Sequence, residues 1–424
     1  MYREGKIPDD FKTSTAIPIP KKSNSMKCED YRTISLMSHT LKLLLGIVNR
    51  RIEKKLDDNL SKTQFGFRPN TGTRDAIALY RLLIQRALTV NRNLYVCYVD
   101  YEKAFDRVEH QQLPEVLEKY GLDREDVRLI QALYWEQRAN VRIGKFSSET
   151  YCKIEKGVRQ GCPLSPRLFN IYAEQIGQHP RFQRAGFKIK GQIINQISYA
   201  DDKVIIARTA QQLQRMVRQL DREGRKYGMK INTSKTKVMV LGKNVMDKKL
   251  IVEIDNAKLD QVQQFKYLGA VIQNDGRDET EIRCRIAAAR SAFQNMEKVL
   301  RDRKMNIHLR LRILNCYVWS ILRYSSETWT MTKATERRIN AFELWCYRKM
   351  HRVAWTEKKK NIEILQKMGL DGTILLNMIT AEKNRCIAMK MEDDTFKLVS
   401  QGKILCKKSR GRKRYSILSN SMQE

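Results

Sequence analysis

The most constraining feature of this sequence is a pair of adjacent carboxylates inside an apolar, β-branched segment, ISYADDKVIIA at residues 197–207. The flanking residues have the composition of two buried strands. Burying an ionised carboxylate is costly unless a cation or a hydrogen-bond donor offsets it. The segment therefore predicts a hairpin that carries Asp201 and Asp202 at its tip. Two interpretations of these acids remain open at this point: ordinary turn chemistry, or a site that needs them.

The spacing of apolar residues predicts a mixture of strands and helices up to about residue 276. NLYVCYVDY (93–101) is predicted to be a strand that ends at Asp100, with Val96, Tyr98 and Asp100 on one face. Further strands are predicted at 237–241 and 265–272, and helices at 40–56, 73–92, 110–120, 123–138, 165–176 and 210–227. Because residues 277–395 are predicted to be helical, we expect an α+β core followed by a helical C-terminal region.

The composition favours a folded protein with a polyanionic partner. The 424 residues carry a formal charge of +34 at pH 7, and Lys and Arg bind phosphates by displacing counterions. No apolar run approaches the roughly 20 residues of a membrane span, and the N-terminal segment lacks the apolar core of a signal peptide. We therefore expect an intracellular protein that binds nucleic acid and no membrane. The nine Cys residues form no CxxC pair and there are five His residues, so neither a disulfide framework nor a zinc site is predicted.

Three acids are set into strand-like apolar contexts: Asp100, Asp201 and Asp202. Carboxylates at strand ends can converge on two hard divalent cations, which activate a hydroxyl and neutralise a departing phosphate oxygen. Each acid taken singly is equally compatible with a turn. Their combination with the basic charge of the chain favours a phosphate-transfer site.

Seven ordered segments resemble the successive motifs of the reverse transcriptases of non-LTR (LINE-type) retrotransposons. They are PIPKKSNSMKCEDYRTISL (18–36), QFGFRPNTGTRDAI (64–77), YVDYEKAFDRV (98–108), GVRQGCPLSPRLFNIY (157–172), YADD (199–202), YGMKINTSKTKVM (227–239) and FKYLGAVI (265–272). Residues 329–361 resemble the segment after the thumb in the RTE-like branch. A lone xxDD motif is weak evidence, whereas an ordered series over about 250 residues is specific.

This resemblance implies a right-hand polymerase, with fingers, a palm that contains an antiparallel sheet, and a thumb, followed by a helical C-terminal region. The implied domains are fingers and palm at 1–276, a helical thumb at 277–328, a helical C-terminal domain at 329–402 and a basic tail at 403–424. The implied activity is that of an RNA-directed DNA polymerase, which extends a DNA primer with dNTPs on an RNA template. The tail has seven Lys or Arg in residues 403–414; it suits phosphate binding or nuclear import, and a solvated tail is the alternative.

The resemblance also assigns the catalytic residues. Asp100 and Asp201 are implied to be the principal ligands of two Mg²⁺ ions, with Mn²⁺ as an alternative, and Asp202 stands beside them as the most dispensable ligand. Lys235, in NTSKTK, matches the position of a lysine near the pyrophosphate leaving group, where it can donate a proton.

Residues that bind the incoming nucleotide follow from the same resemblance. Phe105 is implied to contact the sugar 2′ position and exclude a ribonucleotide; a core aromatic is the alternative. The backbone at Gln160 and Gly161 is implied to approach the nucleotide, the alternative being an ordinary glycine turn. The residues implied to clamp the triphosphate are Lys21, Lys22 and Arg32. For the two lysines a solvated basic face is the alternative.

A second hairpin is implied to hold the primer end. Its residues, which resemble the primer grip, are Phe265, Tyr267, Leu268 and Gly269, and we expect about half of these side chains to be core. Tyr199 is expected to pack under the catalytic turn, and Asp106 to have a structural role, such as capping or pairing with Arg107 or Arg32.

The aromatic residues Trp329, Trp345 and Trp355 recur among basic helices. Aromatic rings interleaved with Lys and Arg can stack on bases, but a Trp at helical spacing is more often core. We therefore expect these three side chains to be buried.

Several features differ from the family pattern. Lys203 follows YADD where the family usually has a small or apolar residue, and we expect this cation to perturb the carboxylates. The sequence shows no segment that resembles the endonuclease of such elements, so we expect a partial copy. A catalytically silent, element-derived RNA-binding protein is the alternative function. A metal-dependent nuclease would need a further cluster of acids or histidines, which the sequence lacks.

Overall fold

The computed structural model describes residues 7–243, 245 and 248–404, so most of the basic tail lies outside the described residues. The strands of this part are numbered β1 to β16 in chain order. They are Thr13–Pro20, Tyr31–Leu36, Leu94–Val99, Gln137–Ile143, Phe146–Ser147, Cys152–Ile154, Phe187–Ile189, Gln192–Ile194, Gln196–Tyr199, Asp202–Ala207, Lys237–Leu241, Glu253–Ile254, Ala257–Lys258, Asp260–Gln261, Gln264–Tyr267 and Ala270–Gln273.

The central sheet has the strand order β14-β11-β3-β10-β9. Its middle strand β3 pairs antiparallel with β10 on one side and with β11 on the other. The predicted strands at 93–101 and 237–241 are confirmed, and so is the hairpin around the two adjacent acids, which is β9–β10. The region 265–272 is a second hairpin, β15–β16.

Both faces of the central sheet are buried, which explains the nearly continuous apolar runs of β3 and β10. Val96, Tyr98 and Val204 lie on the face that packs against one hydrophobic cluster. Cys97 and Ile205 lie on the other face, in a second and larger cluster. The predicted sharing of a face by Val96 and Tyr98 is confirmed.

A second sheet, of order β2-β1-β4-β5 with β6 also paired to β4, contains the N-terminal strands. The antiparallel β1–β2 hairpin carries Pro20 at the end of β1 opposite Tyr31. The parallel β1–β4 pairing joins the first strands to residues more than 100 positions further along the chain.

The helices of the described part are numbered α1 to α16 and carry most of the remaining chain. They are Asp9–Lys12, His39–Asn59, Thr73–Thr89, Leu113–Lys119, Arg124–Tyr134, Ser165–Ile176, Pro180–Gln183, Ala210–Lys226, Glu279–Asn295, Glu297–Leu300, Ile307–Leu314, Ser320–Leu322, Lys333–Met350, Asn361–Met368, Leu375–Lys390 and Asp394–Gln401. None of the helices in this part of the chain is both long and apolar enough to cross a membrane.

Local sequence signals account for the helices that border the central sheet. Helix α6 begins at Ser165 with Pro166 in its first turn, where the missing N–H of proline has no consequence. Helix α8 begins after Thr209, whose side chain accepts a hydrogen bond from the N–H of Gln212. These two helices are confirmed.

The helix predicted at 123–138 is wrong beyond Tyr134. Glu136 has a φ of 60°, and from Gln137 onward the chain forms β4 instead. The reason is tertiary: β4 pairs with both β1 and β6, and these ladders override the local helical pattern.

The helical C-terminal region is confirmed and has its own core. Buried apolar residues from Ile282 to Ile379 form one cluster. This single core spans both of the helical domains expected from sequence, so their boundary at residue 328 remains a proposal. Helix α16 instead returns to the central sheet, where Phe396 and Val399 join the cluster that contains Val96.

The tryptophans behave differently from one another. Trp329 is fully buried, as expected, and Trp345 is partly buried and stacks on Phe342. Trp355 is 82% exposed, so the expectation that it belongs to the core is wrong. It lies in a short 3₁₀ turn between helices, with the Arg348 guanidinium 5.3 Å from its ring centre.

A buried polar cluster joins the helical region to α3. The Arg81 guanidinium lies 2.8 Å from the Asp278 carboxylate, and both side chains are almost completely buried. The other Asp278 oxygen accepts a hydrogen bond from the N–H of Thr330. Lys383, 3% exposed, donates to the carbonyl of Trp329, and burial lowers its pKa to about 8 against the attraction of Asp278.

Lys383→Met should stabilise the protein in a pH-dependent way. Because burial lowers the pKa of Lys383 in the folded state, the unfolded chain binds more protons than the folded chain between about pH 8 and pH 10.5. The wild-type protein should therefore gain stability as the pH rises through this window. The unfolding temperature of the variant should exceed that of wild type at pH 7, and the difference should become smaller as the pH approaches 10.5.

The matched control is Lys397→Met, on the exposed side of α16. Its effect on the unfolding temperature should not change over the same pH window. A difference in unfolding temperature between wild type and Lys383→Met that stayed constant with pH would show that burial does not lower the pKa of Lys383.

Candidate active site

Three carboxylates meet at one end of the central sheet. The turn between β9 and β10 consists of Ala200, with a φ of 55°, and Asp201. In the β3–β10 register Lys203 is opposite Val99, so one step further along Asp202 faces Asp100. Directly opposed residues of an antiparallel pair share a face of the sheet. The predicted placement of Asp201 and Asp202 at a hairpin tip, next to the end of the strand before Asp100, is confirmed.

The electrostatics of this end are dominated by negative charge. Partial loss of hydration, and then the negative charges of Asp201 and Asp100, raise the pKa of Asp202 to about 6. Part of the Asp202 residue, the first of β10, nevertheless remains exposed. Burial and the charge of Asp100 also raise the pKa of Asp201. Burial raises the pKa of Asp100, against the attraction of Lys235. The cluster is therefore a place where added positive charge is favourable.

Two of the predicted cations face this cluster. Lys235 Nζ lies 4.0 Å from Asp100 Oδ2. Arg32, on β2, lowers the pKa of both Asp201 and Asp202 by its charge. The structure thus brings a residue of the N-terminal sheet to the turn that carries Asp201.

The two predicted lysines before β2 lie at the end of β1. Lys22 Nζ is 3.9 Å from the carboxylate of Asp30, and the Lys22 side chain is 77% exposed. The N–H of Lys21 donates to the carbonyl of Asp30. A contact of either lysine with a triphosphate remains a prediction.

The backbone of Asp100 is fixed by the segment that carries Lys235. The N–H of Asp100 donates to Thr236 Oγ1, and its carbonyl accepts from the N–H of Asn232. The position of Lys235 near the carboxylates therefore follows from hydrogen bonds to the strand end itself.

Lys203 does not act on the carboxylates as expected. Its neighbours in the alternation of β10 place it on the opposite face from Asp202. It is 4% exposed, and burial lowers its pKa against the attraction of Glu174, which is also buried. The expectation that this cation perturbs the site is wrong because its charge is directed at Glu174.

The donor atoms fit hard divalent cations. The carboxylates of Asp100, Asp201 and Asp202 offer oxygen ligands only, which Mg²⁺ and Mn²⁺ prefer. Among the described residues no three Cys, His, Asp or Glu side chains form a ligand shell by themselves. Mg²⁺ is commonly held by one or two carboxylates, with water and substrate phosphates completing its shell, so the acids fit such an ion.

Phe105 is packed against other aromatic rings and is also partly exposed. Its ring stacks on the buried Phe169, with ring centres 4.5 Å apart. The edge of Phe67 lies 6.2 Å away on another side, and Phe105 remains partly exposed. Packing thus fixes the ring while leaving part of it open to a ligand.

Phe67 is a residue that sequence reasoning missed. It is 45% exposed, has a φ of 57°, and contacts the rings of both Phe105 and Tyr199. It therefore connects the turn after Asp100 with the strand before Asp201. An aromatic residue between two turn-forming residues in QFGFRPN was the available signal.

Gln160 and Gly161 lie between the two sheets. The carbonyl of Gln160 accepts from the N–H of Ser35 on β2, and its side chain donates to Asp106. Gly161 has a φ of 101°, and a Cβ there would be 3.4 Å from the Ser35 carbonyl oxygen. This turn needs glycine because its backbone is left-handed.

The acids after Asp100 are paired differently from one of the expected arrangements. Arg107 forms an ion pair of 2.9 Å with Glu102, whereas Asp106 accepts from Gln160. The expected pairing of Asp106 with Arg107 is therefore not present. Asp106 fixes the Gln160 side chain instead.

The β15–β16 hairpin has Leu268 and Gly269, both with positive φ, at its turn, the geometry of a type I′ turn. The ring of Phe265 stacks on Tyr98 at 4.0 Å, and Tyr267 is 3% exposed. Tyr267 is thus core, in line with the expectation that only some of these side chains are free.

The carbonyl groups at this hairpin tip already have partners. The hydroxyl of Tyr324 donates to the carbonyl of Leu268 at 2.7 Å, and Arg285 donates to that of Gly269. Both partners belong to the helical region. A contact between this hairpin and a primer remains a prediction, and the structure does not leave these two carbonyls open for it.

Gln64 is the second residue that sequence reasoning missed. It is 3% exposed, and its side-chain oxygen accepts from the N–H groups of both Gly66 and Ala200. The N–H of Phe65 donates to Ser198 on β9. Gln64 thus holds the turn of Asp201 from behind. Nothing in the local sequence distinguishes it from a surface glutamine.

Gly66 completes this contact. A Cβ at Gly66 would lie 2.3 Å from the backbone nitrogen of Ala200 and 2.9 Å from the carbonyl carbon of Tyr199. The carbonyl of Gly66 accepts from the side chain of Asn170 on α6. The segment can approach the β9–β10 turn only because residue 66 has no side chain.

The sequence of this chain matches that of a known protein family. Residues 19–272 match the sequence model of the reverse transcriptase (RNA-dependent DNA polymerase) family. The Pol polyprotein of the type-1 retrotransposable element R2 of Nasonia vitripennis is 27% identical over 291 residues, which are 66% of this chain and 28% of that protein. The RNA-directed DNA polymerase of the mobile element jockey of Drosophila funebris is 24% identical over 86% of this chain and 40% of its own length.

Among solved structures, apo telomerase from Candida tropicalis aligns with 94% of this chain and 70% of its own, at 14% identity and a TM-score of 0.47. The chain spans less than half the length of either transposon relative. The family match covers more than half of the chain and includes the three carboxylates. The chain therefore belongs to the reverse transcriptase family, and its relatives are the polymerases of non-LTR retrotransposons.

Proposed function

We propose that this chain is an RNA-directed DNA polymerase that extends a DNA primer with dNTPs on an RNA template. The observation that supports this proposal best is the register of β3 and β10, which sets Asp100 opposite Asp202, next to Asp201 in the turn. Family membership supplies the reaction type. The geometry supplies a cluster of acids with Lys235 and Arg32 beside it.

In this proposal Asp100 and Asp201 hold two Mg²⁺ ions, with Mn²⁺ as an alternative, and Asp202 contributes charge beside them. Reverse transcriptases use divalent metal ions, which when bound make a primer hydroxyl more acidic and neutralise charge on a leaving phosphate oxygen. The raised pKa values of the acids support this role, because a cluster of repelling carboxylates gains from added positive charge.

The cations near the cluster have separate tasks in the proposal. Arg32 binds the phosphates of the incoming nucleotide from the N-terminal sheet, with Lys21 and Lys22 at the end of the same hairpin. Lys235 donates a proton to the pyrophosphate as it leaves. The Lys235 side chain is 70% exposed and its Nζ lies 4.0 Å from Asp100 Oδ2, so it can act in the same cleft.

Nucleotide selection is assigned to Phe105, with Gln160 and Gly161 approaching the nucleotide through their backbone. The stacking of Phe105 on Phe169 supports this, because a fixed ring discriminates better than a mobile one. A nuclear location also belongs to the proposal. Its support is the basic run at 403–414, of which residues 405–414 lie outside the described residues.

Asp201→Asn should abolish nucleotide addition and leave RNA binding nearly unchanged. Loss of one metal ligand removes several kcal/mol of transition-state stabilisation, or about 10³-fold or more in rate, whereas Lys and Arg supply most of the affinity for phosphates. Primer extension on an RNA template with Mg²⁺ and fluorescence anisotropy with the same RNA measure the two quantities.

The control for this variant is Asp123→Asn, at an exposed acid paired with Lys55, which should extend the primer like wild type. Extension by Asp201→Asn at the wild-type rate would contradict the metal assignment. Wild-type protein that bound RNA but added no nucleotide would support the alternative of a catalytically silent RNA-binding protein.

Phe105→Ala should relax discrimination between deoxyribonucleotides and ribonucleotides. The ring excludes the 2′-hydroxyl by a clash rather than by an attraction, and one such contact is worth about 1–3 kcal/mol. The ratio of kcat/KM for ribonucleotide over deoxyribonucleotide should rise by about 10-fold or more. Phe146→Ala, at an 84% exposed ring, is the control; equal ratios in all three proteins would assign Phe105 to the core alone.

Gln64→Met should lower kcat while leaving KM for dNTP nearly unchanged, because Gln64 positions the Asp201 turn and touches no substrate. Loss of a positioning group behind a metal ligand typically costs about 10–100-fold in activity. Steady-state kinetics at saturating primer–template measure the split.

The matched control is Gln137→Met. Gln137 is another buried glutamine, on β4 of the N-terminal sheet, and its side-chain oxygen accepts a hydrogen bond from Arg159. It should destabilise the fold comparably and retain kcat. If both variants lost kcat equally, Gln64 would have only a general structural role.

A further inference from the structure

A large basic cleft lies at the other end of the central sheet. It has a volume of about 1780 Å³. Its wall is formed by α7, the β7–β8 hairpin and α8. The residues before β3 also line it, as do Lys243, Lys248, Lys403 and Ile404. We call this site the basic cleft.

The basic cleft is well separated from the carboxylates. Asp202 begins β10 and Arg208 follows its last residue. At about 3.3 Å per residue, the strand places about 20 Å between them. Likewise Asn93 precedes β3, whereas Asp100 follows it. A ligand in the basic cleft therefore lies outside the active site.

The charge of the basic cleft is strongly unbalanced. Twelve of its 25 lining residues are Lys or Arg, and no Asp or Glu occurs among the described residues that line it. In the whole chain Lys and Arg make up 81 of 424 residues, so the cleft is enriched more than twofold. Like charges gathered in a concave surface repel one another and destabilise the fold, so a bound anion would relieve this repulsion.

One wall carries arginines in a regular row. Arg215, Arg218 and Arg222 follow one another on α8 at about one residue per turn, along one exposed side, and Arg208 lies two residues before the helix begins. The opposite side of α8 is buried through Leu213 and its neighbours, which fixes the row in place.

These arginines have few partners within the chain. Arg215, Arg218 and Arg184 make no ion pair in the part of the chain that the structure describes, whereas Arg222 contacts Glu223 at 3.8 Å. Exposed cations that no carboxylate neutralises are the groups that bind phosphates by releasing counterions.

The remaining polar lining favours RNA as the anion. Amide side chains of Asn91, Asn93 and Gln211 line the same space as the arginines, whereas those of Gln212 and Gln219 are hydrogen-bonded to Arg208, Glu223 and Arg222. Such groups donate to and accept from hydroxyls and base edges, and the 2′-hydroxyl of RNA offers both a donor and an acceptor. An acidic protein segment would match the charge alone.

We propose that the basic cleft is a second nucleic-acid site, which binds a single-stranded RNA segment through its phosphates while primer and template occupy the active site. This goes beyond the proposed polymerase function and rests on it for the occupant of the active site, but RNA binding to the basic cleft is measured separately from nucleotide addition. A chain with both sites can hold one part of an RNA while it copies another.

The test is the double variant Arg215→Gln/Arg218→Gln. Anisotropy with a short fluorescent single-stranded RNA, at several salt concentrations, gives the slope of log Kd against log salt, with the active site first filled by unlabelled primer–template. Loss of two phosphate contacts should lower this slope by about 1.4. Single-nucleotide addition on saturating primer–template should remain at the wild-type rate, which also shows that the variant is folded.

The matched control is Arg124→Gln/Arg128→Gln. These two arginines are also exposed on one helix, α5, and make no ion pair within the described residues. Their removal changes the net charge equally and should leave the slope close to that of wild type. Equal slopes for both double variants would overturn the proposal.

Two further measurements separate the alternatives. A photo-crosslinking amino acid at Gln211, in a protein otherwise unchanged, should crosslink to the labelled RNA while primer–template is bound; no crosslink would overturn the proposal. Double-stranded DNA that competed as well as RNA would overturn the choice of RNA. Polyglutamate that displaced the RNA at equal charge would indicate a protein partner instead.

Discussion

The pairing of β3 with β10 is the constraint on which the rest of the structure depends. It sets two carboxylates opposite each other at the end of a sheet with a hydrophobic cluster on each face. Such an arrangement gathers like charges at partly desolvated positions; burial first, and then repulsion between the acids, raises the pKa of Asp201 and of Asp202. The surrounding elements either hold this strand end in place or bring positive charge to it.

The support for the carboxylates comes from distant parts of the chain. Gln64 and Gly66 hold the turn of Asp201 from one side, and Thr236 and Asn232 hold the backbone of Asp100 from another. The helical region reaches the neighbouring hairpin through Tyr324. The candidate active site is therefore a junction of several segments, although its acids lie at the ends of two adjacent strands.

Much of this could be predicted from sequence because strands and hairpins have local signals. The alternation in NLYVCYVDY fixed the face of Asp100, and the apolar residues around Asp201 and Asp202 indicated the hairpin. The same alternation indicates the position of Lys203. Because it is the residue after Asp202, its side chain lies on the opposite face of the sheet, near Glu174.

The other differences came from contacts between segments far apart in the chain. The strand from Gln137 exists because β1 and β6 pair with it, and no local pattern shows these partners. The Gln64 side chain accepts a hydrogen bond from the N–H of Ala200, 136 residues away. Nothing in the sequence around a glutamine indicates a hydrogen bond over such a distance. The basic cleft likewise depends on how α8 and the β7–β8 hairpin are arranged. In sequence its arginines are merely part of a basic chain.

The close approach of Gly66 to Ala200 has a consequence for how this chain can vary over evolutionary time. Any side chain at residue 66 would meet the backbone of Tyr199 and Ala200, not a side chain that could be exchanged for a smaller one. No single substitution elsewhere can restore the space, because a backbone atom cannot be removed. The two segments are therefore constrained together in evolution. Substitution of Gly66 by any other residue is excluded as long as the turn keeps its present backbone path.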